Sequence, residues 1–230
     1  MAIMLYDLAG AEDERRFSPY CWRVKLALAH KGLDFATIPW RFTEKDRIAF
    51  SGQGAVPVLV DGERVVADSW AIAEYLDAAY PQVPLFATPA EHGLARFAGA
   101  WVDTVLLPAV VRLLMLDILA HLHEKDRAYF RQSREAHFGM SLEAYCADRD
   151  GRLAALQPAL RPLRLLLRNQ PYLGGVAPHY ADYAIFGVFQ SARCISPLAL
   201  LAADDPVAAW RGRLLAIHGG LAGKALGYKC

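Results

Sequence analysis

The residues best placed to do chemistry in this chain are a hydroxyl and a thiol three positions apart, Ser18 and Cys21, in the run Phe17-Ser18-Pro19-Tyr20-Cys21-Trp22-Arg23-Val24-Lys25. A short apolar segment, Ile3-Met4-Leu5-Tyr6, precedes them and reads as a strand; Val24, Leu26, Ala27 and Leu28 follow and read as an amphipathic helix. Ser18 and Cys21 therefore open a helix directly after a strand. A helix N-terminus offers unpaired N–H groups and the positive end of the peptide dipoles, so it can hold an anion or a thiolate. The plain reading stands beside this one: Ser followed by Pro is also an ordinary helix start, with Ser18 as N-cap and Pro19 at the first helical position.

The layout is that of a thioredoxin-type active-site turn with its first cysteine replaced by serine. Without that outer cysteine a dithiol cycle cannot run, so Cys21 reads as a buried packing residue, with a redox role as its rival. Two further features lie downstream. In Gly54-Ala55-Val56-Pro57-Val58-Leu59-Val60 a proline stands near the start of an apolar strand, where it cannot donate a ladder hydrogen bond. Either Pro57 begins an edge strand, or a cis Val56-Pro57 bond turns the Val56 main chain outward to pair with a peptide-like ligand. Asp61-Gly62 then marks a hairpin turn. Asp68-Ser69 opens a helix with Trp70, Ile72, Ala73 and Leu76 at helical spacing. Ser69 and the N–H groups beside it are either a plain cap or a carboxylate site.

These elements run strand, helix, strand, short helix near Glu44–Phe50, hairpin, helix, up to about residue 80. Three prolines in Pro81-Gln82-Val83-Pro84-Leu85-Phe86-Ala87-Thr88-Pro89 mark a linker. Beyond it the patterns are helical, about Ala90–His121, Glu124–Cys146, Arg152–Asn169, Ala181–Ala192 and Pro206–Leu215. Val105–Leu122 is the most apolar stretch; Pro108, Arg112, Asp117 and His121 within it favour a buried helix with a proline kink over a membrane span.

The chain has 230 residues, 55% of them hydrophobic and 21% charged, with a net charge of +1. Such a balance gives no broad electrostatic reason to expect nucleic acid or an anionic membrane as partner. Its four cysteines are scattered, which fits neither a metal knuckle nor a disulfide framework and suits a reducing, cytoplasmic setting. The N-terminus reads as a strand rather than a signal peptide. No metal site is expected: His121 and His123 fall on different faces of a helix, and Asp103, Asp117, Asp148 and Asp150 read as solvated carboxylates. The glycines of Gly219–Lys224 have the wrong spacing for a phosphate loop and follow no strand.

Taken in order, Ser18-Pro19-Tyr20-Cys21, Val56-Pro57 and Asp68-Ser69 resemble the N-terminal domain of the glutathione transferase superfamily. Pro171-Tyr172-Leu173-Gly174-Gly175 with Tyr180-Ala181-Asp182-Tyr183-Ala184 is similar to the buried helix-capping segment of its C-terminal domain, although His179 stands where the family has Ser or Thr. Within the superfamily, Trp40-Arg41-Phe42-Thr43-Glu44-Lys45-Asp46 and Gly187–Cys194 look most like the bacterial β-aryl-etherases and the fungal etherase-like transferases. The resemblance implies a thioredoxin-like α/β domain over residues 1–80, a linker over 81–89 and an all-α domain over 90–230. It implies glutathione as cosubstrate, with its sulfur at Ser18, its cysteinyl amide on Val56 before Pro57, and its γ-glutamyl end at Asp68 and Ser69. Arg41, Lys45 and Gln53 are candidates for its glycine carboxylate. Trp101, Val105, Tyr183 and Phe189 are candidate walls for an aromatic or aryl-ether electrophile, core packing being the alternative for each. A homodimer is implied as well. Two other classes stay open: a glutathione-dependent oxidoreductase or peroxidase using Cys21, and a non-catalytic ligand carrier.

Overall fold

The computed structural model describes residues 3–229. β1 (Ile3–Leu8) runs parallel to β2 (Phe35–Trp40) and antiparallel to β3 (Val58–Asp61), and β3 turns through Asp61-Gly62 into β4 (Arg64–Ala67). The sheet order is β2-β1-β3-β4. Gly62 has φ +60°, the left-handed turn conformation that glycine adopts without a Cβ penalty. A 3-10 helix, Lys45–Ser51, leads from β2 to the Val56-Pro57 bond, which is cis. Two helices complete this half, α1 (Pro19–His30) and α2 (Ser69–Ala79). The arrangement is thioredoxin-like.

α1 is buried along eight consecutive residues, Cys21 to Leu28, because the sheet covers one side and the helical half the other. A helix apolar all round is a core helix, yet α1 also buries Arg23 and Lys25. Lys25 Nζ lies 2.7 Å from the buried Asp7 carboxylate and over the Trp22 ring, and Arg23 reaches Asp103 at 3.2 Å. Each buried cation thus has a partner, as burial requires.

The rest is helical: α3 (Pro89–Trp101), α4 (Leu107–His121), α5 (Glu124–Phe138), the single turn α6 (Leu142–Tyr145), α7 (Arg149–Ala159), α8 (Arg161–Leu167), α9 (Tyr180–Ile195) and α10 (Pro206–Gly220). Three expected helices are subdivided. The stretch 90–121 holds a π-turn, Val102–Leu106, in which the Leu107 N–H reaches back to the Val102 carbonyl. It sits just ahead of Pro108, whose missing N–H breaks the regular ladder there. The second pattern stops at Gly139, φ +69°, a left-handed C-cap. The third is broken between Pro158 and Pro162.

α9 is the post on which the two halves meet. All but one of its sixteen residues are buried, and it packs on α1, α3 and α4. Its N-terminus is fixed by Asp182, whose carboxylate accepts from the N–H groups of His179 (3.2 Å) and Leu173 (3.0 Å) and from Trp210 Nε1 (2.8 Å). His179 Nδ1 in turn accepts from the Ala181 N–H. The reciprocal cap expected from Ser or Thr is thus made with an imidazole nitrogen.

Candidate active site at the start of the first helix

Ser18 is the N-cap of α1, with φ −68° and ψ 123°, and its Oγ accepts from the Cys21 N–H at 3.2 Å. The capping reading is therefore correct. It does not exclude the chemical one, because a hydroxyl that accepts through its oxygen still has its hydrogen to donate. Three contacts from α9 fix the two helix starts of the sheet half. Ser191 Oγ donates to the Phe17 carbonyl at 2.6 Å, just ahead of Ser18. Gly187 lies so close to the Pro19 carbonyl oxygen that a Cβ there would collide with it. Tyr180 donates from its hydroxyl to the Ser69 carbonyl at 2.8 Å.

Ser18 opens onto a cavity of about 640 Å³ between the two halves. Phe17, Ser18 and Tyr20 line one side and Gly54, Ala55 and Val56 another. The opposite walls are Leu107, Val111, Met115 and Ile118 of α4 and Tyr129, Phe130, Arg134 and Phe138 of α5. Asp126, fully buried at the start of α5, docks that helix on the sheet half. Its carboxylate accepts from the N–H groups of Phe42 (2.9 Å) and Thr43 (3.1 Å) and from the Thr43 hydroxyl (2.6 Å). That clamp brings Trp40, Phe42 and Lys45 to the cavity edge.

The structure thus gathers Ser18 and Val56 at one cavity, with Pro57 buried beside it. Asp68 and Ser69 stand at the N-terminus of α2. Asp68 is the cap, with Oδ1 accepting from the N–H groups of Trp70 (2.9 Å) and Ala71 (3.0 Å), so those two amides are occupied. Asp68 has φ +77°, a conformation uncommon outside glycine and asparagine or aspartate. Ser69 is buried next to it.

Other expected positions are corrected. Arg41 does not reach the cavity: its guanidinium donates to the Gly10 and Ala11 carbonyls and pairs with Asp13 at 2.5 Å. Gln53 lies just outside the lining, its N–H donating to Ser51 Oγ. Trp101 and Val105 do not line the cavity: Val105 is exposed to solvent, and on this segment the wall begins at Leu107. Tyr183 and Phe189 are wholly buried core residues of α9. Tyr183 bridges His30 Nδ1 (2.8 Å) and His218 Nε2 (3.1 Å), and Phe189 packs on Trp210. The true walls carry their own signal: Leu107, Val111, Met115, Ile118 and Tyr129, Phe130, Ser133, Arg134, His137, Phe138 are two stripes at helical spacing.

Cys21 is fully buried, its Sγ 3.9 Å from the Tyr6 carbonyl, and burial pushes its thiol well above the ordinary range. It is absent from the cavity lining. A reactive cysteine needs the opposite surroundings, exposed and electropositive. Cys194 is likewise buried and raised, to about 11.

A four-stranded mixed sheet with two helices, joined to a helical half across a cavity that starts at a capped helix, defines a two-part thioredoxin-like class of protein. Residues 17–79 match the model of the glutathione S-transferase N-terminal domain, and residues 93–216 that of the glutathione S-transferase C-terminal domain. The chain belongs to the glutathione S-transferase family. It is 30% identical to a probable glutathione S-transferase GSTU1 of Oryza sativa subsp. indica over 192 residues, 73% of this chain and 80% of that protein. With glutathione S-transferase Z1 of Arabidopsis thaliana it shares 46% identity over only 68 residues, 27% of this chain and 31% of that relative's length. Among solved structures, glutathione transferase GSTFuA2 from Phanerochaete chrysosporium superposes with a TM-score of 0.75 at 28% identity, over 97% of this chain and 95% of that one. A Ceriporiopsis subvermispora glutathione S-transferase, CsGST63524, solved in complex with glutathione, gives 0.78 at 22% identity, over 95% and 97%, a likeness of fold.

Proposed function

We propose that this chain is a glutathione transferase that binds glutathione along the sheet half, activates its thiol at Ser18, and presents the thiolate to an aromatic or aryl-ether electrophile in the cavity. The observation that carries this reading is the opening of Ser18 and the α1 N-terminus onto an apolar, aromatic-rich cavity whose other rim is the Gly54–Val56 main chain. A free cysteine-type thiol has a pKa of about 8.5, so little thiolate exists at neutral pH. A hydroxyl donor and a helix N-terminus both favour the charged form. The enzyme supplies no nucleophile of its own; it stabilises the thiolate of the cosubstrate, whose proton passes to solvent, and aims it.

In this reading the cysteinyl amide of glutathione pairs with the Val56 main chain beside Pro57. The γ-glutamyl ammonium meets the outer oxygen of Asp68, whose inner oxygen caps α2, and the γ-glutamyl carboxylate lies at Ser69. Lys45, at the cavity edge, takes the glycine carboxylate in preference to Arg41, whose donors are engaged, and to Gln53. Residues 1–80 form the glutathione-binding domain, 81–89 the linker and 90–230 the helical domain. For an aryl ether, the sulfur attacks the carbon bearing the aryloxy group. A C–S bond forms, the C–O bond breaks, and the aryloxide leaves with the electron pair and then takes a proton. Buried free thiols at Cys21 and Cys194 suit a reducing compartment such as the cytoplasm. No helix among the described residues is long and apolar enough to cross a membrane.

The test is a titration with glutathione, followed by thiolate absorbance, together with turnover of 1-chloro-2,4-dinitrobenzene. Expected is a bound thiol that ionises below its free pKa, with conjugate formed at a rate proportional to enzyme. Binding with no conjugate would make the protein a ligand carrier. No binding would end the transferase reading.

A further inference from the structure

The cavity walls carry positive charge and no negative charge. Two cations, Lys45 and Arg134, line it, and among the described residues no aspartate or glutamate does. Arg134 is the telling member. It projects from α5 in the cavity wall, half-buried, its guanidinium carbon 5.0 Å from the centre of the Phe42 ring and 4.7 Å from that of Phe130. Its hydrogen-bond partner is Ser133 Oγ, at 2.9 Å. No carboxylate among the described residues lies within ion-pair distance of it. Several buried or half-buried arginines elsewhere pair with a carboxylate, Arg15 with Glu12, Arg23 with Asp103, Arg41 with Asp13 and Arg164 with Asp205; Arg112, Arg152, Arg193 and Arg213 are half-buried with no carboxylate among the described residues at ion-pair distance, but none of these four lines the cavity.

A cation taken partly out of water is costly unless it gains a partner. Burial pulls the guanidinium of Arg134 below its usual pKa, as expected for a charge that has lost part of its hydration. The two rings compensate only in part, because an aromatic ring attracts the cation but offers its N–H groups no carboxylate. The guanidinium has five donors in a planar fork, one of them engaged by Ser133, and the fork matches a carboxylate in two-point geometry.

We propose that Arg134 is a specificity-determining residue, and that the electrophile this cavity selects is an aromatic compound carrying an anionic group, a carboxylate above all, held by Arg134 while its ring lies among Phe42, Phe130 and the α4 stripe. This rests on the transferase reading for its chemistry and extends it from an aromatic electrophile to an aromatic acid. Glutathione brings carboxylates of its own, so Arg134 has a second possible client in the glycine carboxylate. The two are separable because only one depends on the charge of the electrophile.

The experiment compares 4-chloro-3-nitrobenzoate with its methyl ester in wild type, Arg134→Met and Arg134→Lys. In both probes the glutathione sulfur attacks the ring carbon bearing chlorine, the C–S bond forms, and chloride departs with the electron pair. Each rate is divided by the uncatalysed rate of the same probe, which removes the intrinsic difference in reactivity. The expected wild-type enzyme prefers the acid. Arg134→Met lowers kcat/KM for the acid about tenfold or more, the size of a lost charge-assisted hydrogen bond, while the ester and the KM for glutathione stay within about twofold; Arg134→Lys keeps part of the preference. Turnover of the ester shows that the variant is folded and that the transferase reading stands. Equal losses on both probes, or no preference for the acid in wild type, would overturn the proposal. A raised KM for glutathione with the acid preference intact would overturn it too, reassigning Arg134 to the glycine carboxylate. If wild type turns over neither probe, calorimetric binding of the acid against the ester reads the same preference without chemistry: tighter acid binding, lost in Arg134→Met, supports the assignment, and equal binding sinks it.

Discussion

A single hydroxyl at Ser18 has two roles, and they separate in a mutant. As cap, its oxygen takes the Cys21 N–H, an interaction whose loss on truncation to alanine costs about 1 kcal/mol. As donor, its hydrogen favours the thiolate, which matters along the reaction path more than in binding. Ser18→Ala is expected to lower kcat on the order of a hundredfold, as for one lost donor to a reacting anion, with a small change in glutathione affinity and a raised pKa of the bound thiol. Thiolate absorbance against pH, beside a melting curve, checks both roles; an unchanged pKa and turnover would leave Ser18 as a cap alone. Cys21 is expected to behave in the opposite manner. It is sealed in the core, so Cys21→Ala should cost roughly 1 kcal/mol of stability through the lost packing and leave turnover intact. Loss of activity with stability kept would revive the oxidoreductase reading.

At the scale of elements, a polar chain ties three helices together: His30 at the end of α1, Tyr183 in α9, and His218 at the bend in α10 where the backbone leaves helical geometry. Burial is the leading cause that pulls both imidazoles below their ordinary value near 6.5. At His30 the Pro84 carbonyl and Asp77 oppose it and Lys31 reinforces it; at His218 the His30 ring adds to it. The folded protein thus holds both rings neutral where the unfolded chain has begun to protonate them. The unfolded state binds more protons below about pH 6.5, so stability is complete above that value and falls as pH drops towards the folded pKa values. Thermal melts between pH 5 and 8 should show this slope, flattened in the double variant His30→Gln/His218→Gln at a lower overall stability. A slope unchanged in that variant would assign the acid sensitivity elsewhere, with His121, which burial also pulls below its ordinary value, next to be tested.

For the molecule as a whole, large apolar side chains remain in solvent on one chain: Phe97 on α3 is 70% exposed, Phe50 at the end of the 3-10 helix 54%, and Val65 on β4 38%. Scattered exposed apolar residues are ordinary. Met140, Leu165 and Val176 are exposed elsewhere, but Phe50, Val65 and Phe97 fall on the hairpin region and the first helix of the second half, the two surfaces that a family-type homodimer would bring together. Sedimentation equilibrium at micromolar concentration is expected to give a mass near twice the 25.4 kDa of one chain, and Phe50→Ala with Phe97→Ala to shift it towards the monomer. A fully active monomer would remove the dimer and leave the catalytic proposal intact.

What the sequence determined by itself was whatever depends on neighbours along the chain. Ser18 before Pro19, Asp68 before Ser69 and Asp61-Gly62 each set a cap or a turn through atoms one to three residues away. The alternation of strand and helix through residue 80 was equally legible, because period and punctuation are local signals. The walls of the cavity were decided by tertiary structure. α9 is buried all round, so no periodicity distinguishes a Tyr183 that faces two histidines from one that faces a ligand. α5 reads as a charged surface helix until the Asp126 clamp turns its Tyr129, Phe130 and Arg134 inward. Arg41 and Arg134 are alike in sequence, each a cation in a polar stretch. Only the folded chain supplies Asp13 to one and sets the other against a pair of packed rings, because charge pairing and burial are properties of residues brought together from far apart.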